Sequence, residues 1–143
     1  LTRSLINEMR ERGAGHIMNV GSVNAFLPVP HFAVYSATKA FVKSFGEALS
    51  KECAGTGVKV TNIHPGGTRT EFVEVADMKL PFFFEKALMT PRQVAKSGLR
   101  SAHGGAVSIV TGLMNQLTVL MFWMMPPSVL RWFAKTFFSR LHE

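Results

Sequence analysis

Ser22, Tyr35 and Lys39 are the residues whose types and spacing could do chemistry together. Tyr35 and Lys39 lie four apart, which on a helix puts both side chains on one face. A free phenol has a pKa near ~10 and is a poor base at neutral pH. An ammonium one helical turn away favours the phenolate by opposite-charge attraction. A phenol tuned in this way can exchange a proton with a substrate oxygen while hydride moves at carbon. A serine hydroxyl can hold the same oxygen and stabilise developing alkoxide charge. Each signal alone is weak. Tyr-x-x-x-Lys recurs by chance on helices, and Ser22 by itself reads as a turn residue. Their order within one structural unit gives them weight.

That unit is legible in the hydrophobic pattern. Residues 1–12 read as a helix with Leu1, Leu5, Ile6 and Met9 on one stripe, ended by Gly13-Ala14-Gly15. His16 to Val20 reads as a short buried strand that stops at Gly21-Ser22. A loop with Pro28 and Pro30 follows. A long helix is then expected from about Val34 to Ala54, burying Phe41, Phe45, Ala48, Leu49 and Cys53. Val58 to Ile63 reads as the next strand, stopped by Pro65-Gly66-Gly67. Strand, helix and strand with short links make a βαβ unit, hence parallel strands. Ligands of such sheets bind beyond the carboxyl ends of the strands. The Ser22 loop, the helix start at Tyr35 and the Pro65 loop all belong at that edge. Further on, Thr90, Pro91 and Gln93 form a helix start with a capping box. That helix ends near His103-Gly104, and Ala106 to Val110 reads as a third strand.

The run from Ile17 to Phe72 resembles the short-chain dehydrogenase/reductase family. Asn19-Val20-Gly21-Ser22 is similar to its strand end with the active-site serine. Tyr35-Ser36-Ala37-Thr38-Lys39 is similar to its Tyr-x-x-x-Lys helix start, and the 13-residue step from Ser22 to Tyr35 fits. Pro65-Gly66-Gly67-Thr68-Arg69-Thr70 is similar to its cofactor loop. The resemblance implies an α/β, Rossmann-like parallel sheet with flanking helices. It implies an NAD(P)-dependent oxidoreductase moving hydride between NAD or NADP and an alcohol or carbonyl substrate of apolar character. Tyr35 is then the general acid/base. Lys39 lowers its pKa and bonds the nicotinamide ribose, and Ser22 orients the substrate oxygen. Pro65 and Gly66 shape the nicotinamide pocket, and Thr68 (by its backbone) and Thr70 (by its hydroxyl) contact the carboxamide. The family favours an aliphatic residue where Thr68 stands. It often has a serine where Gly21 stands, an exchange expected to be harmless.

The family's Gly-rich phosphate loop has no counterpart in these residues, nor does the upstream Asn of its catalytic tetrad. Leu1 opens a helix without a cap. The expectation is therefore the carboxyl half of such a domain over residues 1–112, unable to turn over alone, followed by a basic helical tail over 113–143. The alternative is a non-enzymatic peripheral membrane or interaction protein that keeps the fold. The complete protein is expected to form homo-oligomers through the helices that begin near Leu1 and Val34.

Composition narrows the other classes. The chain has 143 residues, 47% of them apolar, which suits a packed core rather than disorder. One cysteine, Cys53, excludes an internal disulfide, and no metal site is expected. The net charge of +7 is uneven: residues 1–85 hold nine Lys/Arg against eight Asp/Glu, and residues 86–143 hold seven against Glu143 alone. No basic run or zinc spacing points to nucleic acid. No leader is visible, so a cytoplasmic location is expected. The basic tail instead fits a membrane surface, with a cover over the substrate pocket or a contact with another subunit as alternatives. Leu113 to Met125 is apolar apart from Asn115, Gln116 and Thr118 but too short to span a bilayer. After Pro126-Pro127, residues 128–142 are amphipathic, with Leu130, Phe133, Ala134, Phe137, Phe138 and Leu141 on one face. Phe82 to Phe84 read as a lid over an apolar substrate, with plain core as the alternative, and His31 as an exposed loop residue, with substrate contact as the alternative.

Overall fold

The computed structural model describes residues 2–70 and 88–139. The order is helix α1 (Thr2–Glu11), strand β1 (Gly15–Val20), a 3-10 turn (Val23–Phe26), helix α2 (Ala33–Glu52), strand β2 (Val58–His64), helix α3 (Pro91–His103), strand β3 (Ser108–Val110), helix α4 (Leu113–Met124) and helix α5 (Pro127–Ser139). The three strands form one parallel sheet in the order β1-β2-β3. Gly15 stands opposite Val58 and Val20 opposite Ile63 on one side. Asn62 stands opposite Ser108 and His64 opposite Val110 on the other. This is the expected parallel α/β architecture.

Alternation along β2 assigns the layers. Val58 and Val60 point to one face, where they pack with Ile6 of α1, Leu49 of α2 and Cys53 at its end. Ile63 points to the other, where Gly98 of α3 lies against it. Covered on both faces and paired on both edges, β2 is buried at every position except Lys59. β1 is only half-buried, and Val20 is exposed, which departs from the expected buried strand. It lies at the margin of the described sheet, with no described strand on its other side.

The helix α2 departs further from expectation. Phe41 is 68% exposed, Phe45 is 39% exposed and Ala48 is exposed; Leu49 and Cys53 are buried as expected, but Ser36 and Gly46 complete the buried face. The reason is at Gly46. A methyl group there would collide with the Asn62 side-chain oxygen, and Asn19 lies beside it. At Gly46 the helix rides so close to the sheet that no side chain fits beneath it. The two phenyl rings stack on each other outside, 5.8 Å between centroids.

Two ends follow their sequence signals. Thr90 accepts the Gln93 amide at 3.3 Å and the Gln93 side chain accepts the Thr90 amide at 2.8 Å, the reciprocal capping box that opens α3. β3 starts at Ser108 rather than at Ala106. The Ala106 carbonyl accepts from the Thr61 hydroxyl, and the Val107 carbonyl from both the backbone and the side chain of Asn62.

α4 and α5 fold back onto the body. Phe122 and Leu130 pack on buried Leu27 and Val29, within the loop between Ser22 and Tyr35. Of the apolar face expected on α5, the side chains of Phe133, Ala134, Phe137, Phe138 and Leu141 lie outside the described residues, as do Phe82 to Phe84.

Candidate active site

The residues at the carboxyl edge of the sheet come from three segments. β1 ends at Val20, and the Gly21 amide still donates to Ile63 O at 2.8 Å. Ser22 follows, buried, at the start of the 3-10 turn. Its Oγ accepts the Asn24 amide at 3.2 Å. The Val23 amide then donates to Pro65 O at 2.9 Å, which ties the Ser22 turn to the loop after β2.

Tyr35 and Lys39 stand in the first turns of α2 and do share a side of it. Lys39 Nζ sits 5.5 Å from the Tyr35 ring centroid, within cation–π range. The same ammonium donates to the Val20 carbonyl at 3.1 Å. It thereby links the helix start to the strand end two residues before Ser22. Phe32, just before the helix, meets the Tyr35 ring edge-on at 6.3 Å. Lys39 is half-buried, and an ammonium has three donors, of which Val20 O takes one.

The loop after β2 is short and braced. Thr68 donates by its hydroxyl to Gly66 O at 3.1 Å and pairs through its backbone with Met89. The amides of Arg69 and Met89 bond Met89 O and Gly67 O respectively. Thr70 is exposed, and its hydroxyl lies 3.5 Å from Thr68 O. Pro65 and Gly66 are half-buried. A side chain at Gly66 would collide with Asn115 of α4, which donates to Thr111 O at 2.7 Å. Asn115 thus seats the tail helix on this loop, and its signal was present as a polar break in an apolar run.

A buried histidine, His64, stands beside these segments. It closes β2, is fully buried, bonds the Ser108 hydroxyl at 3.1 Å and meets the Phe26 ring edge-on at 5.1 Å. Burial first, and the Lys43 ammonium next, hold its imidazole below the ordinary value of 6.5, against the opposing pull of Glu47 and the Ser22 backbone. Lys43 pairs with Glu47 at 3.0 Å, with its ammonium 5.3 Å from the Phe26 ring centroid. Burial pushes the Glu47 carboxyl up, yet hydrogen bonds from Lys43 and Ser108 and the Lys43 charge bring it below the usual range. The His64 ring also fills the space a side chain at Gly21 would need. A side chain at position 21 would therefore require the His64 ring to shift. His31 is exposed, as expected, with a left-handed φ of 65°.

An apolar cavity of about 610 Å³ lies beside these residues, between Phe26, β3 and α4. Ser22, Tyr35 and Lys39 do not line it.

A parallel sheet with Ser, Tyr-x-x-x-Lys and Pro-Gly segments on one edge defines a class, and comparison with known proteins agrees. Residues 1–80 match the family model described as short chain dehydrogenase. The chain belongs to the short-chain dehydrogenase/reductase family. A putative oxidoreductase, SadH, of Mycobacterium tuberculosis is 34% identical over 123 residues, covering 78% of this chain and 45% of that protein. A 7beta-hydroxysteroid dehydrogenase structure superposes on 99% of this chain and 53% of its own, with a TM-score of 0.78 and 22% identity, a likeness of fold. The closed form of serine dehydrogenase complexed with NADP+ covers 77% of this chain and 48% of its own, with a TM-score of 0.64 and 32% identity. The chain spans about half the length of these proteins.

Proposed function

We propose that these residues form the catalytic edge of an NAD(P)-dependent oxidoreductase that interconverts an alcohol and a carbonyl, with a substrate of apolar character. The observation that carries the reading is the Lys39 ammonium, set beside the Tyr35 ring and bonded to the strand end. The cofactor class is NAD or NADP; the serine dehydrogenase relative holds NADP+. The residues suit such a group. Lys39 has donors beyond the one given to Val20, as a ribose diol requires. Pro65 and Gly66 offer a braced backbone at the same edge, with Thr68 and Thr70 beside it for a carboxamide. When bound, the nicotinamide supplies or accepts hydride.

The protein's own residues do the rest. Tyr35 gives its phenolic proton to the substrate oxygen, or takes one from it. Lys39 holds the ribose and keeps a positive charge beside Tyr35. Ser22 supplies a hydroxyl to the oxygen on which negative charge develops. Phe32, edge-on to Tyr35, gives the substrate an apolar wall. The rings of Phe41 and Phe45, exposed on α2, suit a helix-to-helix contact between two copies.

The test uses a full-length family chain bearing these residues, assayed by nicotinamide absorbance with a panel of ketones and alcohols. Tyr35→Phe is expected to lower kcat about 10²–10⁴-fold. Full activity in Tyr35→Phe would refute the assignment.

A further inference from the structure

The tail helices carry an apolar face that the body does not use. On α4, Asn115, Val119 and Phe122 turn inward, toward Gly66 and the Leu27–Val29 cluster. At 100° per residue, the opposite side of α4 holds Leu113, Leu117, Leu120, Met121 and Met124. All five are exposed, and Leu113 to Met125 contains no charged residue. A solvated helix face is ordinarily polar; this one is not. Trp123 is 84% exposed, and Trp132 on α5 is 67% exposed beside exposed Arg131.

Helix length and charge choose the occupant. Twelve residues make a rod of about 18 Å, well short of a ~30 Å hydrocarbon core. Among the described residues no helix is long and apolar enough to cross a membrane. Such a face can lie along an interface instead of spanning it. Tryptophan is the residue type that favours the headgroup level. Beyond Met125 the chain carries Arg131, Lys135 and Arg140 against Glu143. A second copy would bring the same positive charge to the contact, whereas an anionic surface attracts it.

We infer that α4 and the start of α5 form an interfacial docking surface for anionic membrane, with Leu113, Leu117, Met121 and Met124 entering the headgroup boundary, while Leu120 and Trp123 border the cavity beside Phe26. This surface is independent of the oxidoreductase reading, and its test needs no turnover. Both tryptophans of the chain are in the tail, so their emission reports the tail alone. The intact 143-residue chain is mixed with vesicles of phosphatidylcholine, with or without phosphatidylglycerol. A blue shift, and co-sedimentation at least about tenfold stronger with the anionic vesicles and weakened by salt, is the expected result. The double variant Leu117→Gln, Met121→Gln should lose at least about tenfold in partitioning. Its circular dichroism should match the parent, because both positions are exposed. Equal partitioning to both vesicle types, no partitioning, or an unaffected double variant would overturn the proposal. So would a blue shift without lipid that grows with protein concentration, which would give the face to a second copy.

Discussion

His64 shows how one side chain can set the shape of a neighbouring turn. Its ring lies where a side chain at position 21 would project, while its Nε2 is held by Ser108. Ser22 is the next residue along, so the ring and the turn are built together. Burial keeps the imidazole neutral in the folded protein, with a pKa below 6.5. In the unfolded chain it titrates near its ordinary value. The unfolded state then binds more protons between the two values, so stability falls as pH drops through 6.5 and levels off below the folded pKa. Chemical denaturation across pH 4–8, roughly the range of histidine titration, should show this slope, and His64→Gln should make it shallower, the lowered His16 and Glu47 supplying the rest. A slope unchanged by that substitution would assign it to other groups.

Elements show which parts of the sequence speak clearly. The capping box at Thr90, the parallel βαβ order and the Tyr35–Lys39 face were all legible, because each rests on local chemistry a few residues long. The buried face of α2 was legible only at Leu49 and Cys53. Its large aromatics suggested a core, but the contact is made by Gly46 over the Asn19–Asn62 pair. Hydrophobic spacing registers large side chains, and close backbone approach leaves no such mark. Gly46→Ala should accordingly cost about 1–3 kcal/mol, the usual scale of overpacking, and lower Tm. Phe41→Ser on the exposed side should leave monomer stability within roughly 0.5 kcal/mol. Reversed outcomes would mean that the phenylalanine face is the packed one.

At the scale of the molecule, the tail braces the loop before α2. Its inner face closes over Leu27 and Val29, so the loop that joins Ser22 to Tyr35 is packed by residues a hundred positions downstream. Sequence patterning marked the tail as helical and amphipathic but could not say what its inner side met, because that partner is distant in the chain. Phe122→Ala should destabilise by on the order of 1–2 kcal/mol, since the ring is half-buried. It should also speed proteolysis within the 27–32 loop. Cleavage there unchanged, with Tm unchanged, would show that the tail lends the loop nothing.

The Asn62 side chain has a consequence for assembly of the sheet. It accepts from Asn19 at 3.0 Å on one flank and donates to Val107 O at 3.3 Å on the other, with no exposure to water. Sliding β2 by a single position would put this amide among the aliphatic contacts of Ile63 and leave its hydrogen-bonding atoms bare. One carboxamide therefore works as a keyed joint, admitting both neighbouring strands at a single offset.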